Sequence, residues 1–369
     1  MKTKIINKPR VGVVCSPWMG GSGVVASELG HVLQKRGWYI RYITFDKPFR
    51  IRNGSIKFSK VDTLDYPLFP HPMYQLPLTE KIITEVKKYK LGVIHCHYIL
   101  PFGLAAIDAK KALANEGIEV KVVLTTHGSD VLKLSGIVPN ITKYVLVEAD
   151  VITSVSEDLA KKTRALVKTN VKVQVVPNFI DLNKFAPLKK RKQSREKILV
   201  HMSNFRPIKR VGDTIEAFKR INEVVPSKLV LIGDGPELGK IKELAELNGL
   251  SKKVIYKGKV KNPEKEIRKA DLMLTTSEYE SFCLANLEAM ACGVPNCSYA
   301  VGGIPEVVEH GESGALSKYM DIYGVVNNAV DILNDSNWES YSNNARARAE
   351  KYSVDNIVPL YERLYGQLI

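Results

Sequence analysis

Glu280-Ser-Phe-Cys-Leu-Ala-Asn-Leu-Glu288-Ala-Met-Ala-Cys-Gly-Val-Pro295 is the stretch that decides how this chain is read. Just ahead of it, Asp271-Leu-Met-Leu-Thr275 has the make-up of a short buried strand, and Phe282 to Ala291 carries apolar residues on one side of a helix. Glu280 is then expected just before the helix N-terminus and Glu288 about two turns in, with seven residues between them. The unpaired amides at a helix N-terminus form a ready anion site. Two carboxylates flanking such a site can hold an anionic group while gripping hydroxyls, which is what a sugar nucleotide requires. The same residues also suit a plainer reading, a solvated loop acid and a helix acid favoured by the macrodipole. The rest of the chain separates the two.

At 369 residues the chain is long enough for two domains, each with its own core. Hydrophobic residues make up 45%, the level of a globular protein. No apolar run approaches the roughly 18 residues that span a bilayer. Lys2, Lys4, Lys8 and Arg10 precede Val11-Gly-Val-Val-Cys15, but that run is too short for a signal-peptide core and reads as a buried first strand. A cytoplasmic protein is expected. Cys15, Cys96, Cys283, Cys292 and Cys297 form no Cys-x-x-Cys pair, which suits reduced core thiols better than a disulfide framework. His95-Cys-His97 puts two imidazoles on one face of a strand, yet no third ligand lies near in sequence, so no metal is expected there.

The net charge of +15 favours anionic partners. Part of the excess sits in Lys189-Lys-Arg-Lys192 with Arg195 and Lys197, read as a solvated linker whose surface is also open to peripheral contact with anionic lipid. No nucleic-acid motif is recognisable, and aromatic residues do not interleave with the basic run as a base-stacking surface would require. Nucleic acid is not an expected partner.

Short β-branched runs alternate with longer amphipathic segments, the pattern of parallel α/β sheets. In the first half Val11–Val14, Ile40–Thr44, Val93–Cys96, Val122–Thr126, Val151–Ser154 and Val173–Val176 read as strands. Gly23 to Arg36 reads as a helix with Val25, Leu29, Val32 and Leu33 on one face and Gly37 as its stop. The pattern restarts with Ile198–Met202, Leu229–Ile232, Val254–Tyr256, Leu272–Thr275 and Asn296–Tyr299. The expected architecture is two doubly wound, Rossmann-like α/β domains, residues 1–182 and 183–353, facing a central cleft. A terminal helix over residues 354–369 packs back on the first domain. Ligands of open parallel sheets bind beyond the carboxyl ends of the strands, so the loops there carry the chemistry.

Gly20-Gly-Ser-Gly23 joins the first strand to the first helix, where backbone amides can meet a phosphate or carboxylate. It lacks Gly-x-Gly-x-x-Gly spacing, and no acidic residue ends the second strand, which argues against a nicotinamide dinucleotide. His201-Met-Ser-Asn-Phe-Arg206-Pro-Ile-Lys209-Arg210 sets three cations beyond a strand end, suited to a diphosphate. Gly233-Asp-Gly-Pro-Glu237 and Val301-Gly-Gly-Ile-Pro-Glu306 enter helices, with proline in the first turn. Thr125-Thr-His127-Gly-Ser-Asp130 places a histidine in a loop at a strand end. The chain contains no Asp-x-Asp, the usual metal–diphosphate site of single-domain sugar transferases.

Together these motifs resemble the GT-B glycosyltransferases of family 4, which retain anomeric configuration and need no metal. The resemblance covers nearly the whole chain and is strongest from Glu280 to Pro295. It extends to Gly20-Gly-Ser-Gly-Val-Val25, Pro48-Phe-Arg50, His95-x-His-Tyr98, Thr126-His-Gly-Ser-Asp130, Asn178-Phe-Ile-Asp181 and Ser203-Asn-Phe-Arg-x-x-Lys-Arg-Val211. Within the family the motifs are most similar to those of the branch that glycosylates malate in bacillithiol biosynthesis.

The resemblance implies a hexosyltransferase without cofactor, acting as a homodimer on UDP-N-acetylglucosamine and a small anionic acceptor, expected to be L-malate. The first domain would bind the acceptor and the second the nucleotide sugar. Glu288 would hold the ribose and Glu280 the sugar hydroxyls. Arg206 and Lys209 would clamp the diphosphate, aided by amides of the Gly21 loop, and His127 would lie beside the sugar. Backbone near Val260 would read the uracil, with Asn204, Phe282, Cys283 and Leu284 completing the donor site. The catalytic set is then Glu280, His127, Lys209 and Arg206. The family's usual glycine after Glu-Ser-Phe is Cys283 here, a side chain that would narrow the site if the neighbouring amides contact phosphate.

A malate-sized acceptor needs two anion sites a few ångströms apart. The Ser22 loop supplies one through amides and a hydroxyl, and Arg50 is suited to a bidentate carboxylate contact. Tyr98 and Thr126 end neighbouring strands and are placed to orient the remaining oxygens. Arg50 equally reads as a loop cation beside Lys47 and Arg52. Two other functions stay open. One is the same chemistry on a lipid-linked or polysaccharide acceptor, which the basic surface favours. The other is a non-catalytic sugar-nucleotide or nucleic-acid binding protein, which the charge permits.

Overall fold

Val11, Val13 and Val14 are fully buried although they alternate across the pleat. Burial on both faces is the mark of a strand inside a parallel sheet covered by helices on each side. The computed structural model describes residues 8–17, 20–48, 57–63, 73–167, 171–190 and 194–368. Its first sheet comprises β1 (Arg10–Val14), β2 (Tyr39–Thr44), β3 (Lys57–Lys60), β4 (Val93–His97), β5 (Lys121–Thr126), β6 (Val151–Ser154) and β7 (Val173–Val175). They lie in the order β3-β2-β1-β4-β5-β6-β7 with every pairing parallel.

The second sheet comprises β8 (Lys197–Ser203), β9 (Ser227–Gly233), β10 (Val254–Gly258), β11 (Leu272–Thr275), β12 (Asn296–Tyr299) and β13 (Gly314–Ser317). Its order is β10-β9-β8-β11-β12-β13, again all parallel. Each sheet is doubly wound, as expected. The winding reverses between β1 and β4 in one and between β8 and β11 in the other. At such a point successive connections leave in opposite directions and open a crevice beyond the carboxyl ends of the strands.

The chain divides into two compact units, Met1–Pro177 with Asp355–Ile369, and Asn178–Val354. The division precedes residue 182 because Asn178-Phe-Ile-Asp181 is tied to the end of the second unit. The Ile180 amide donates to the Tyr352 carbonyl at 2.9 Å, and Ile180 bridges to Ser353. The last helix, Val354–Gly366, returns to the first unit and buries Ile357, Val358, Tyr361, Leu364 and Tyr365. There the Trp38 indole N–H donates to Glu362 at 2.7 Å, and its ring meets Tyr365 edge-on at 5.6 Å. Arg36 also reaches Asp355, but that carboxylate is 89% exposed, so the pair adds little beside the buried tyrosines.

Of the four edge strands, β7 and β10 were expected from the sequence, while β3 and β13 were not. Lys57-Phe-Ser-Lys60 has no apolar run, and β3 is secured instead by distant polar partners. The Ser59 hydroxyl donates to the buried Glu85 carboxylate at 2.5 Å, and Arg41 from β2 binds both. The helix after β11 begins at Leu284 rather than Phe282, so Glu288 is its fifth residue, about one turn in rather than two. All five cysteines are buried and free. Among the described residues, no helix is long and apolar enough to cross a membrane.

The first helix, Gly21–Lys35, packs so closely on β2 that its middle requires glycine. A Cβ on Gly30 would stand 2.0 Å from the Tyr42 hydroxyl oxygen and 2.7 Å from Cζ of the same ring. That hydroxyl donates to the carbonyls of Ser27 at 2.8 Å and Ala26 at 3.2 Å. Gly30→Ala is therefore expected to lower stability by about 1–3 kcal/mol through overpacking. Tyr42→Phe should cost about 1 kcal/mol from the lost hydrogen bond. The double variant should cost less than the sum, because phenylalanine removes the atom that the new methyl meets first. Chemical denaturation of the four proteins measures the coupling, and strictly additive losses would contradict this packing.

Candidate active site

In the second unit the site grows from the end of β8. His201 is buried, and burial pushes its pKa down to about 4, so the ring is neutral at pH 7. Its Nδ1 lies 2.9 Å from the Leu274 carbonyl, which can only accept, so Nδ1 carries the proton. Its Nε2 then accepts from the Ser203 hydroxyl at 2.9 Å. This ring pins the end of β8 to β11. Beyond it the backbone turns through left-handed conformations at Phe205 (φ 37°) and Arg210 (φ 46°). The end of β9 presses against the start of this turn: a Cβ on Gly233 would come within 1.8 Å of the Ser203 carbonyl oxygen.

The turn delivers Lys209 to Glu280. The ammonium lies 2.6 Å from Glu280 Oε1, and the Ser277 hydroxyl donates to the same oxygen at 2.7 Å. The backbone carbonyl of Glu280 accepts from the Gly303 amide at 2.8 Å. Loops from β8, β11 and β12 thus brace one residue, Glu280, through its carboxylate and its backbone carbonyl, and the paired side chains are only 16% and 14% exposed. Arg206 and Asn204 are exposed in the same turn, and Arg206 makes no side-chain hydrogen bond or ion pair among the described residues. Arg210 departs from the expected three-cation group. Its guanidinium forks onto Asp213 at 2.8 and 3.1 Å, and Asp213 also accepts from the Tyr299 hydroxyl at 2.9 Å. It secures the start of the next helix instead.

Cys283 precedes the helix Leu284–Ala291 in a left-handed conformation (φ 71°) that favours glycine. Burial and the charge of Glu280 push its thiol up, while Lys209 and the amides of Asn286 and Ala285 act the other way. The sulfur therefore sits at the helix N-terminus, close to the Lys209–Glu280 pair. Phe282 is buried edge-on against Tyr352 at 5.6 Å. Leu284 is half-buried at the first helical position, and Glu288 is buried one turn further in. Val260 follows β10, also half-buried at a strand's carboxyl end. The Thr275 hydroxyl donates to Asn286 at 2.7 Å, holding the helix start against β11.

In the first unit, Gly20 caps the helix Gly21–Lys35, whose first turn holds no acidic residue. Gly21 is exposed and Ser22 half-buried, so this helix start is open to an anion. Tyr98 follows β4 with φ 119°, its amide donating to the Thr125 carbonyl at 3.1 Å and its hydroxyl meeting that of Ser129. Thr126 is fully buried, and its hydroxyl donates to Ser154 at 3.0 Å within the sheet. That residue supports the loop rather than facing outward. Arg50 lies outside the described residues.

Behind this surface stands a histidine cluster in which His95 and His97 are buried and His127 is half-buried. His97 Nδ1 is 3.0 Å from His127 Nε2. His95 contacts the Tyr365 hydroxyl through Nδ1 and the Thr125 hydroxyl through Nε2, both at 2.6 Å. Burial lowers the pKa values of His95 and His127 to about 3 and that of His97 well below its ordinary value. The amides of His127 and Gly128 donate to the buried Asp130 at 3.0 and 2.8 Å. Burial nevertheless raises that carboxyl to about 6, against the pull of those amides. Both ring nitrogens of His95 are engaged. Among the described residues, no group of three or more His, Cys, Asp and Glu side chains is placed to hold a metal ion.

Within each unit the expected residues gather at the carboxyl ends of strands: Glu280, Lys209, Arg206, Asn204, Cys283 and Val260 in one, Gly21, Ser22, Tyr98 and His127 in the other. The second unit offers a charged pair, an exposed cation and helix amides, a set able to bind an anion and hydroxyls together. The first offers amides and neutral rings. Reading the sequence missed three contributors. Ser277 and Gly303 support Glu280, and His97 touches His127. For Ser277 no local signal exists. Gly303 was visible only as a turn, and His97 only as half of a His-x-His pair.

Residues 184–352 match the family of glycosyl transferases group 1, and residues 19–184 match glycosyltransferase family 4. The chain is 39% identical to an N-acetyl-alpha-D-glucosaminyl L-malate synthase of Bacillus anthracis, over 98% of either protein. Among solved structures it resembles a sucrose-phosphate synthase from Thermosynechococcus elongatus, with a TM-score of 0.82 at 21% identity, covering 98% of this chain and 99% of the other. It also resembles HepE of Anabaena, solved with UDP and glucose, with a TM-score of 0.78 at 18% identity and coverage of 96% and 99%. At those identities the likeness is one of fold.

The buried rings give the first unit an acid-sensitive core. The folded pKa values of His95 and His127, about 3, lie below the ordinary 6.5, and His97 is lowered too. The stability tied to their neutral forms is therefore present above about 6.5 and lost as pH falls toward 3. Asp130 acts oppositely: raised from 3.8 to about 6, it favours the fold below its ordinary value and costs stability as pH rises through 6. Three rings outweigh one carboxyl, so the melting temperature should fall steadily as pH drops from about 6.5 to 4. His95→Gln should show a shallower slope whatever its stability at pH 7. Melting followed across that range tests this, and equal slopes in the two proteins would contradict it.

Proposed function

This chain belongs to the GT-B glycosyltransferases of group 1 and family 4, and on that premise we propose that it moves N-acetylglucosamine from UDP-N-acetylglucosamine to L-malate, with retained anomeric configuration and no metal ion. The observation that carries this reading is the braced Lys209–Glu280 pair beside a helix N-terminus. The choice of sugar and acceptor follows the name of the Bacillus anthracis relative. An ammonium has three donors. Glu280 engages one, which leaves two for phosphate oxygens. The remaining carboxylate oxygen of Glu280 is suited to sugar hydroxyls, and the buried Glu288 to those of the ribose.

In the transfer the acceptor hydroxyl oxygen bonds to the anomeric carbon while the bond from that carbon to the β-phosphate oxygen breaks. The bonding electrons pass to the diphosphate, which also takes up the acceptor's proton. Negative charge thus grows on the phosphate as the bond opens; Lys209, held by Glu280, is a fixed cation for it, and Arg206 is an exposed one in the same turn. Preorganised groups act most strongly where charge develops. Without an Asp-x-Asp pair to hold a divalent ion, those cations supply the neutralisation. On the acceptor side, the Ser22 amides receive a carboxylate, Arg50 is assigned the second, and Tyr98 orients the hydroxyl.

A lipid-linked acceptor is the second reading. It is favoured by the exposed aliphatic side chains of Leu132, Ile137, Val138 and Ile141 in the first unit.

Incubation with nucleotide sugars and small hydroxy acids, read by mass spectrometry, should give N-acetylglucosaminyl malate, and its yield should survive EDTA. Loss of activity on chelation, restored by magnesium or manganese, would overturn metal independence. Product with a lipid-linked acceptor but none with malate would favour the second reading. Lys209→Ala and Glu280→Ala should each lower kcat by roughly 10²–10³. Glu288→Ala should instead raise the KM for the donor, since ribose contacts are equal in ground and transition states. Wild-type kinetics in all three variants would show that the donor site lies elsewhere.

A further inference from the structure

We propose that His97 is a positioning residue for the transfer reaction, holding His127 in the tautomer that keeps its proton on Nδ1. The inference rests on the reading above, in which His127 lies beside the donor sugar.

His97 is fully buried, and its Nδ1 stands 3.0 Å from His127 Nε2. Across a contact between two imidazole nitrogens, one must carry a hydrogen and the other a lone pair. Burial keeps both rings neutral, so each ring has a single N–H to place. If His127 were the donor, the hydrogen of His97 would sit on Nε2, and that atom is buried without a hydrogen-bond partner among the described residues. If His97 donates from Nδ1, its Nε2 presents only a lone pair to the same surroundings. Buried N–H groups are left unpaired less often than acceptors are, and a stranded donor forfeits its whole bond to water. The second arrangement is therefore the stable one, and it leaves His127 with a lone pair at Nε2 and a proton at Nδ1.

The cluster also fixes the angle of the His97 ring. His95 lies against it with ring centroids 4.2 Å apart and interplanar tilt of 36°. His95 cannot turn freely, because the Tyr365 and Thr125 hydroxyls hold both of its nitrogens. A neutral His127 so held is a poor proton acceptor: one nitrogen is engaged by His97 and the other is already protonated. Its contribution to transfer is that of an oriented hydrogen-bond donor.

Two measurements on the full-length protein test this. In protein labelled with 15N-histidine, the His127 ring at pH 7 should show a protonated Nδ1 and a bare Nε2, without any substrate present. A protonated Nε2 in the wild type would overturn the proposal outright. In kinetics, His97→Leu should lower kcat about tenfold or more with a much smaller change in donor KM, as loss of an orienting partner does. His97→Asn, whose amide N–H stands near the place of Nδ1, should restore most of that kcat. Equal losses in the two variants, or none in either, would remove the positioning role. Should the wild type transfer no sugar to any acceptor, the functional reading fails instead, and the ring's 15N signals still decide the tautomer.

Discussion

Parallel pairing is the constraint on which the rest of the structure depends. A strand whose neighbours all run its own way must be joined to them by crossovers, and the crossover helices cover both faces of the sheet. Water is then excluded from both sides, and a polar side chain within a strand must find its partner inside. The first sheet meets this demand in an unusual way. His95, Thr125 and Thr153 lie on adjacent strands and satisfy one another and Tyr365, with the two threonine hydroxyls 2.6 Å apart. Elsewhere apolar residues predominate in the strands, and the chemistry of the site lies in the loops where they end.

The two units use these loops in different electrical styles. The second holds full charges, yet keeps them in register with neutral props: Ser277 beside Glu280, and His201 behind the turn that carries Lys209. The pair is about one-sixth exposed on either side, buried enough for its attraction to fix geometry yet open enough to share its donors. The first unit relies on rings that burial keeps uncharged and on amides of a helix start. A fully buried charged pair would carry a desolvation cost that its attraction need not offset. Neutral rings avoid that cost, but only in exact hydrogen-bonding partnership, which is why their tautomers matter.

Much of this was legible in the sequence, and the exceptions have physical reasons. Central strands announced themselves because two-sided burial demands apolar runs rich in β-branched residues, such as those at Val11 and Val122. Two edge strands, β3 and β13, did not, since Lys57-Phe-Ser-Lys60 and Gly314-Ala-Leu-Ser317 are short and carry no β-branched run. Site residues at strand ends were visible because glycine, histidine or charge abruptly follows an apolar run. The depth of Glu288 in its helix was overestimated because the left-handed Cys283, where the family usually has glycine, delays the helix start by two residues to Leu284. Arg210 looked like its neighbours Arg206 and Lys209, and only the fold shows it turned onto Asp213. Contacts across thirty positions, such as His97 with His127, are set by strand register and leave no local trace.

The return of the last helix to the first unit has a consequence for the order in which the protein comes into being. On the ribosome, residues up to Pro177 emerge first, but the helix Val354–Gly366 that covers Trp38 and closes on His95 is made only after the whole of Asn178–Val354. The first unit must wait, its histidines wet and an apolar flank bare, while the second has every strand it needs. The half of the chain translated later is thus the first able to finish folding, the reverse of the usual vectorial sequence. A nascent chain stalled anywhere before Tyr365 therefore carries an unfinished first unit.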